Sequence, residues 1–257
     1  MEINRVSESL FYLFMDFVSY ITGGSTCIGC GSGTLSLPLC KSCQAVLRNY
    51  QSFKIPCKSE LHFKSRCKIC GKILVSEIDE CSQCRENSSK KNAIAYFPLH
   101  SYRLWKKDLM YSWKTENVRS LSFFFAELIN SAINSLKKDR NLEFDSIIPV
   151  PPRPGKINKK GWDQVDELCS ILKRKYGFKI EYPLERYTRQ EQKKLTKDQR
   201  INGKVSEYGL RLKKIEGKRV LILDDVITTG ATIEKCAFLL KSAGVKEVYG
   251  MSLFMVD

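Results

Sequence analysis

The chain has 257 residues, with 43 Lys and Arg against 28 Asp and Glu for a formal charge of +15, and 43% hydrophobic residues. That length suits one large domain, or a main domain with a smaller attachment, and supports a sizeable core, which excludes fibrous and wholly disordered classes. The charge excludes an acidic solvating tail and points to an anionic partner: a phosphate-rich metabolite, a nucleic acid or an anionic lipid headgroup.

Near the start, Leu10, Phe11, Leu13, Phe14, Phe17, Val18 and Ile21 recur at helical spacing. The polar positions of this segment, Glu2, Glu8 and Asp16, are acidic, so a helix packed on the protein body is expected rather than one lying on a membrane surface. Asp16 interrupts the apolar run, which is too short and polar to span a bilayer. Residues 1–20 also lack the cationic start and small-residue cleavage site of a secretory signal. A cytoplasmic protein without membrane insertion is expected, and in a reducing compartment regularly spaced cysteines read as metal ligands rather than bridges.

Eight of the 11 cysteines form four Cys-x-x-Cys pairs: Cys27/Cys30, Cys40/Cys43, Cys67/Cys70 and Cys81/Cys84. The run Cys27-Ile28-Gly29-Cys30-Gly31 returns forty positions later as Cys67-Lys68-Ile69-Cys70-Gly71, which marks two copies of one small unit. Two thiolates three apart on a tight turn can point at one ion, and the following glycine accepts the positive φ such a turn demands. Four thiolates complete a tetrahedral Zn²⁺ with no position left for water, so two structural zinc ions are expected. A sequential arrangement (27/30/40/43 and 67/70/81/84) and a cross-braced one use the same eight ligands; the sequential one is favoured. Cys57, Cys169 and Cys236 lack partners at ligand spacing, and the last two fall in helical patterns as small buried hydrophobes. His62 and His100 have no supporting constellation.

The polar run Glu86–Asn92 marks a boundary, giving a module over 1–92 (an N-terminal helix plus a double zinc ribbon) and a second domain over 93–257. In that domain Ala93–Tyr102 reads as a strand, Val118–Leu136 as a helix, Phe144–Val150 as a buried strand ending in a proline turn, and Val165–Leu172 as a helix. Arg219–Leu223 follows as a short apolar strand, Thr232–Ser242 as a helix and Glu247–Phe254 as a final strand. Such alternation implies an α/β fold, a parallel sheet with helices on both faces, whose ligand site lies beyond the carboxyl ends of the strands.

The most informative run is Val220-Leu221-Ile222-Leu223-Asp224-Asp225-Val226-Ile227-Thr228-Thr229-Gly230-Ala231-Thr232. A strand carries two carboxylates to its end, and a loop of small and hydroxyl residues opens a helix. Backbone N–H groups and hydroxyls there suit a phosphate monoester. Carboxylates one step back would instead accept from vicinal sugar hydroxyls and help hold Mg²⁺. Together these features describe a ribose 5-phosphate site. The run resembles, at every position, the phosphoribosyl pyrophosphate (PRPP) signature of type I phosphoribosyltransferases. The resemblance implies that Asp224 and Asp225 contact the ribose hydroxyls and act in catalysis, and that Thr228, Thr229, Gly230, Ala231 and Thr232 bind the 5-phosphate.

Pro149-Val150-Pro151-Pro152 followed by Gly161-Trp162-Asp163-Gln164 resembles the Pro-Val-Pro and Gly-Phe-Asn-Gln motifs of ComF-type proteins, and Gln192-x-x-Leu195 with Arg200 and Asn202 is similar to their Gln-x-x-Leu…Arg-x-x-Asn stretch. Trp162 and Asp163 stand where Phe and Asn are usual, Pro152 replaces an aliphatic residue, and Arg200 to Asn202 is one residue shorter. That family joins cysteine-paired zinc modules to a phosphoribosyltransferase domain and is associated with natural DNA uptake, so the resemblance spans essentially the whole chain.

Residues 151–219 hold 20 basic and 9 acidic groups, the main source of the positive excess. Between Pro183 and Arg219 this basic stretch suits a hood over pyrophosphate, a track for a nucleic-acid backbone, or a solvated loop. Arg153 and Lys156, just after the proline turn, sit where a pyrophosphate-binding turn is expected. Two functions follow. One is Mg²⁺-assisted transfer of a 5-phosphoribosyl group from PRPP to a nitrogen nucleophile. The other is a non-catalytic PRPP-binding protein that uses its positive surface on single-stranded DNA alongside the DNA-uptake machinery.

Overall fold

The structure is a computed structural model describing residues 25–34, 38–49, 66–72, 74, 77–86, 91–187, 207–211 and 218–256. The helix expected before Ile21, Cys57, His62, the stretch from Gln192 to Asn202 and most of the basic segment lie outside these residues.

The core is a four-stranded, all-parallel sheet in the order β3 (Tyr96–Ser101), β8 (Glu247–Met255), β7 (Arg219–Ile227), β4 (Ser146–Pro149). β7 and β8 are central, which explains their nearly unbroken apolar runs: a parallel strand covered on both faces has no solvent side to alternate with. Successive residues of β7 nonetheless serve opposite cores. Leu221 and Leu223, with Met251 and Leu253, join the cluster built by α3 (Lys106–Lys114), α4 (Leu121–Arg140) and α6 (Gln164–Tyr176). Val220 and Ile222, with Val248, join Ile233, Cys236, Ala237 and Leu240 of α7 (Ala231–Ser242). Gly250 lies where Ile233 and Tyr96 close on the sheet; a Cβ there would meet Ile233 Cδ1 at 2.8 Å and Tyr96 Cδ1 at 2.9 Å. The expected α/β sheet with helices on both faces is therefore present. Cys169 and Cys236 are buried helical residues.

Short elements decorate this frame. A one-turn helix α5 (Lys156–Lys160) follows β4, and β5 (Leu184–Arg186) pairs antiparallel with β6 (Tyr208–Leu210). Two small units precede the sheet. In the first, β1 (Ser25–Thr26) and β2 (Gly33–Thr34) form a minimal hairpin followed by α1 (Lys41–Asn49). The second ends in α2 (Ser82–Glu86). They dock on opposite faces of the sheet. The first packs Cys27, Leu39, Cys43 and Leu47 into the α4 side, where Arg48 pairs with Glu127 at 2.8 Å and lies 5.1 Å above the Phe124 ring. The second packs Leu74 and its cysteines into the α7 side, and the Tyr96 N–H of β3 donates to Ile69 O at 2.7 Å.

Candidate functional site

β7 delivers the acid pair to the carboxyl edge of the sheet. The strand was expected to end at Leu223 but runs to Ile227, with Asp224 opposite Ser252 and Val226 opposite Phe254. The reason lies in its partner: β8 stays apolar and buried to Met255, so the ladder continues past the carboxylates. The Asp225 N–H donates to Asp224 Oδ1 at 2.8 Å, and Lys114 Nζ at the end of α3 lies 2.7 Å from Asp225 Oδ2. Burial, and after it the neighbouring Asp225, raises the Asp224 carboxyl to about 7, with Lys114 pulling the other way. Two adjacent carboxylates in a partly dry site hold their charge only when a cation or donors share it.

Beyond Ile227, exposed Thr228 and Thr229 lead to Gly230 at φ +78°, a left-handed conformation that costs glycine nothing. Gly230 occupies the capping position of α7 and has no side chain to satisfy the first-turn amides, so the positive end of the helix faces this loop. Thr229 Oγ1 accepts from the Ala231 N–H at 3.3 Å. The Thr232 side chain bonds the buried Tyr208 hydroxyl, tying β6 to the start of α7. The structure thus brings Asp224, Asp225 and Thr228–Thr232 together on one edge. Arg153 is exposed on the turn after β4. The Glu207 carboxyl is held low chiefly by its hydrogen bond with Lys235, with Arg153 as a weaker electrostatic cause.

The Gly161–Gln164 motif acts as a clasp. Gly161 ends α5 at φ +80°, and buried Trp162 donates from Nε1 to Asn117 Oδ1 at 3.0 Å. Asp163 Oδ1 caps α6 by accepting from the Val165 and Asp166 amides at 3.0 and 3.1 Å, while Lys156 Nζ reaches Asp163 Oδ2 and Gln164 Oε1, each at 2.5 Å. Gln164 Nε2 and Lys160 Nζ both donate to the Lys114 carbonyl. Lys156 is therefore part of the clasp. The clasp fixes the end of α3 and with it Lys114, a site residue the sequence reading missed. No motif marks Lys114, which lies in a helix of mixed polarity.

Of the basic stretch, the described members are ion-paired: Arg186 with Glu207 at 3.7 Å, Arg211 with Glu185 at 3.7 Å and Lys218 with Glu181 at 2.8 Å. Lys218 is the largest cause, after the opposing effect of burial, that holds the Glu181 carboxyl down to about 2.

The eight cysteines gather as the sequential pairing requires: Cys27, Cys30, Cys40 and Cys43 in one group, Cys67, Cys70, Cys81 and Cys84 in the other, each set of Sγ atoms within 4.8 Å of one another. The two turns are built alike. Gly31 and Gly71 sit at φ +74° and +72°, and their amides donate to Cys27 O and Cys67 O at 2.8 and 2.9 Å. Sγ–Sγ separations of 3.6 Å (Cys30 to Cys40) and 3.7 Å (Cys70 to Cys81) match the roughly 3.8 Å edge of a tetrahedron with Zn–S bonds near 2.3 Å. The thiols also disturb one another. Cys67 is lowered to about 4, chiefly by its hydrogen bond with Cys70, while that contact and burial push Cys70 up. Four crowded thiols cannot all ionise alone; a divalent cation resolves that conflict, so both groups fit Zn²⁺.

Residues 165–254, which run from α6 through the acid-bearing strand β7 and α7 into β8, match the family described as the phosphoribosyl transferase domain. A solved glutamine PRPP amidotransferase from B. subtilis, complexed with ADP and GMP, is similar at a TM-score of 0.35 and 21% identity, over 52% of this chain and 26% of that one. Across nearly its whole length the chain is also similar to the competence protein ComFC of Streptococcus pneumoniae, 26% identical over 230 residues (88% of this chain, 98% of that protein). It is 28% identical over 200 residues to competence protein F of Haemophilus influenzae, 75% of this chain and 85% of that protein. The chain is a homologue of the ComF competence proteins. Among the described residues no helix is long and apolar enough to cross a membrane.

Proposed function

We propose that this chain binds PRPP at the carboxyl edge of its sheet and transfers the 5-phosphoribosyl group, with residues 1–92 as a zinc-bearing module on a 93–257 phosphoribosyltransferase domain. The observation that carries this reading is an acid pair near the carboxyl end of a central parallel strand, followed five residues after Asp225 by Gly230, a helix cap that offers no side chain to the first-turn amides.

In this reading the Thr228 and Thr229 hydroxyls and the first amides of α7 hold the 5-phosphate. Asp224 and Asp225 accept from the vicinal ribose hydroxyls, which fixes the ring while the bond from its anomeric carbon to pyrophosphate breaks and a bond to the acceptor nitrogen forms. As a ribose hydroxyl donates to Asp225, Lys114 is released towards the departing anion. Arg153 and the basic segment take up charge that develops on pyrophosphate. Carboxylate oxygens are the donors Mg²⁺ takes, so Asp224 and Asp225 fit it, and Mg²⁺ bound there with the substrate supplies charge neutralisation at the leaving group.

The competence names of the relatives favour a second reading, in which PRPP is a ligand and the positive surface engages single-stranded DNA during uptake. Following pyrophosphate release with PRPP, Mg²⁺ and a panel of bases separates the two. Release with any acceptor supports transfer. Absence of release with every acceptor, together with single-stranded DNA binding that weakens steeply with salt, supports the second.

A further inference from the structure

We propose that the two cysteine groups have different jobs, and that the second, Cys67/Cys70/Cys81/Cys84, is a positioning element for the 228–232 loop, acting through Lys91 and Tyr96. This rests on the reading of that loop as the phosphate site, but the geometry behind it is independent of any ligand.

The segment after the last cysteine pair bridges the two places directly. Lys91 Nζ lies 2.9 Å from Cys84 Sγ and 5.7 Å from the centre of the Tyr96 ring. A Zn²⁺ held by four thiolates carries a net charge of −2, which an ammonium at one sulfur offsets, as outer-shell partners of metal sites do. The next residue, Asn92, donates its backbone N–H to Glu234 Oε2 at 2.7 Å, in the first turn of α7. The Tyr96 hydroxyl donates to the other oxygen of Glu234. The Tyr96 ring edge also lies against Gly230: a Cβ added there would sit 3.0 Å from Tyr96 Cε2. On its other side Tyr96 is bonded to the Cys67–Cys70 turn through its backbone N–H, and Gly71 of that turn packs on Pro98 of the same strand, with a hypothetical Cβ only 2.5 Å from Pro98 Cδ. A solvent-open pocket of about 270 Å³ lies between the two, lined by Cys84, Lys91 and Tyr96 together with Thr228, Thr229 and Gly230.

The first group has no such connection among the described residues. It lies on the opposite face, where Gly29 approaches Trp105 and Arg48 clamps Glu127. Loss of its metal loosens the packing on α4, whereas loss of metal from the second group frees Lys91, and with it Asn92, Tyr96 and the start of α7.

The test is hydrogen exchange of the full-length zinc-loaded chain, read at the amides of residues 228–234, in Cys84→Ser, Cys30→Ser and Lys91→Met, with zinc content measured in each. Cys84→Ser is expected to lose one zinc per chain and to speed exchange of these amides about tenfold; Cys30→Ser is expected to lose one zinc without that change. Lys91→Met keeps all eight thiolates and covers the case in which Cys84→Ser fails to fold; it too is expected to speed loop exchange, with both zinc ions retained. Loop exchange unchanged in Lys91→Met, or raised equally in Cys30→Ser and Cys84→Ser, overturns the proposal. PRPP titration of the same proteins keeps the two readings apart. A wild type that ignores PRPP refutes the ligand assignment and leaves the exchange contrast to decide this one.

Discussion

His100 offers a quantitative check on how the sheet is packed. It lies on β3, 1% exposed, with its ring 5.9 Å from that of Phe254, and neither ring nitrogen has a hydrogen-bond partner among the described residues. Burial, reinforced by the nearby charges of Lys106 and Arg66, lowers it to about 3 from an ordinary value of 6.5. A histidine depressed in the folded state contributes stability that is complete above its unfolded value and is lost as pH falls below it, because the unfolded chain gains a proton the folded chain refuses. Between pH 7.5 and 5.5 the native state stays neutral while the unfolded imidazole goes from about one-tenth to about nine-tenths protonated, a loss of about 1.4 kcal/mol. His100→Leu removes that titration and two unsatisfied buried nitrogens, so it should be at least as stable as the wild type at pH 7.5. Urea unfolding followed by tryptophan fluorescence, run on both proteins at the two pH values, reads the difference directly. The cysteine groups titrate in both proteins and cancel in the comparison. The stability gap should widen by about 1.4 kcal/mol in favour of the variant at pH 5.5; a gap that stays constant refutes the burial of a neutral, unpartnered imidazole.

Other outcomes follow from the site. Asp163→Ala removes both the α6 cap and the partner of Lys156 and should cost about 1–2 kcal/mol in thermal or urea unfolding, whereas Asp163→Asn, which still accepts from the same amides, should recover most of it. Lys114→Met leaves two adjacent carboxylates without their counter-charge, so PRPP affinity by calorimetry should fall about tenfold without Mg²⁺ and be largely restored when Mg²⁺ is saturating. Gly230→Ala forces a Cβ into the left-handed region and against Tyr96, at about 1–2 kcal/mol, and should weaken PRPP binding by about tenfold while both zinc ions stay bound.

What could be read from the chain, and what could not, divides along local and tertiary lines. The β7–α7 unit was legible because each part is a local necessity: an apolar run for a strand covered on both faces, two acids, then threonines and a glycine where the chain turns at positive φ. The cysteine groups were legible for the same reason, since a Cys-x-x-Cys turn closed by glycine specifies its own geometry. Helix α3 escaped notice because only Leu109, Met110 and Trp113, with Ser112, are buried along nine residues of mixed polarity, too few to set a period. Lys114 escaped with it, since its meeting with Asp225 depends on how α3 is clasped to the α6 cap. The capping role of Asp163 had a visible signal, an acid directly ahead of an apolar helical pattern, that the motif resemblance masked. The docking of two cysteine units with the same turn geometry on opposite faces of one sheet is encoded in neither turn. It arises from what each meets, Trp105 and Glu127 on one side, Tyr96 and Pro98 on the other.

The central claim is tested most directly by titrating the zinc-loaded protein with PRPP and Mg²⁺ in a calorimeter, beside the Asp224→Asn, Asp225→Asn double variant. The account predicts saturable heat for the wild type and an affinity lowered by about a hundredfold in the variant, as expected when two charge-assisted hydrogen bonds to sugar hydroxyls are weakened. No heat from the wild type, or equal affinity in both proteins, contradicts it.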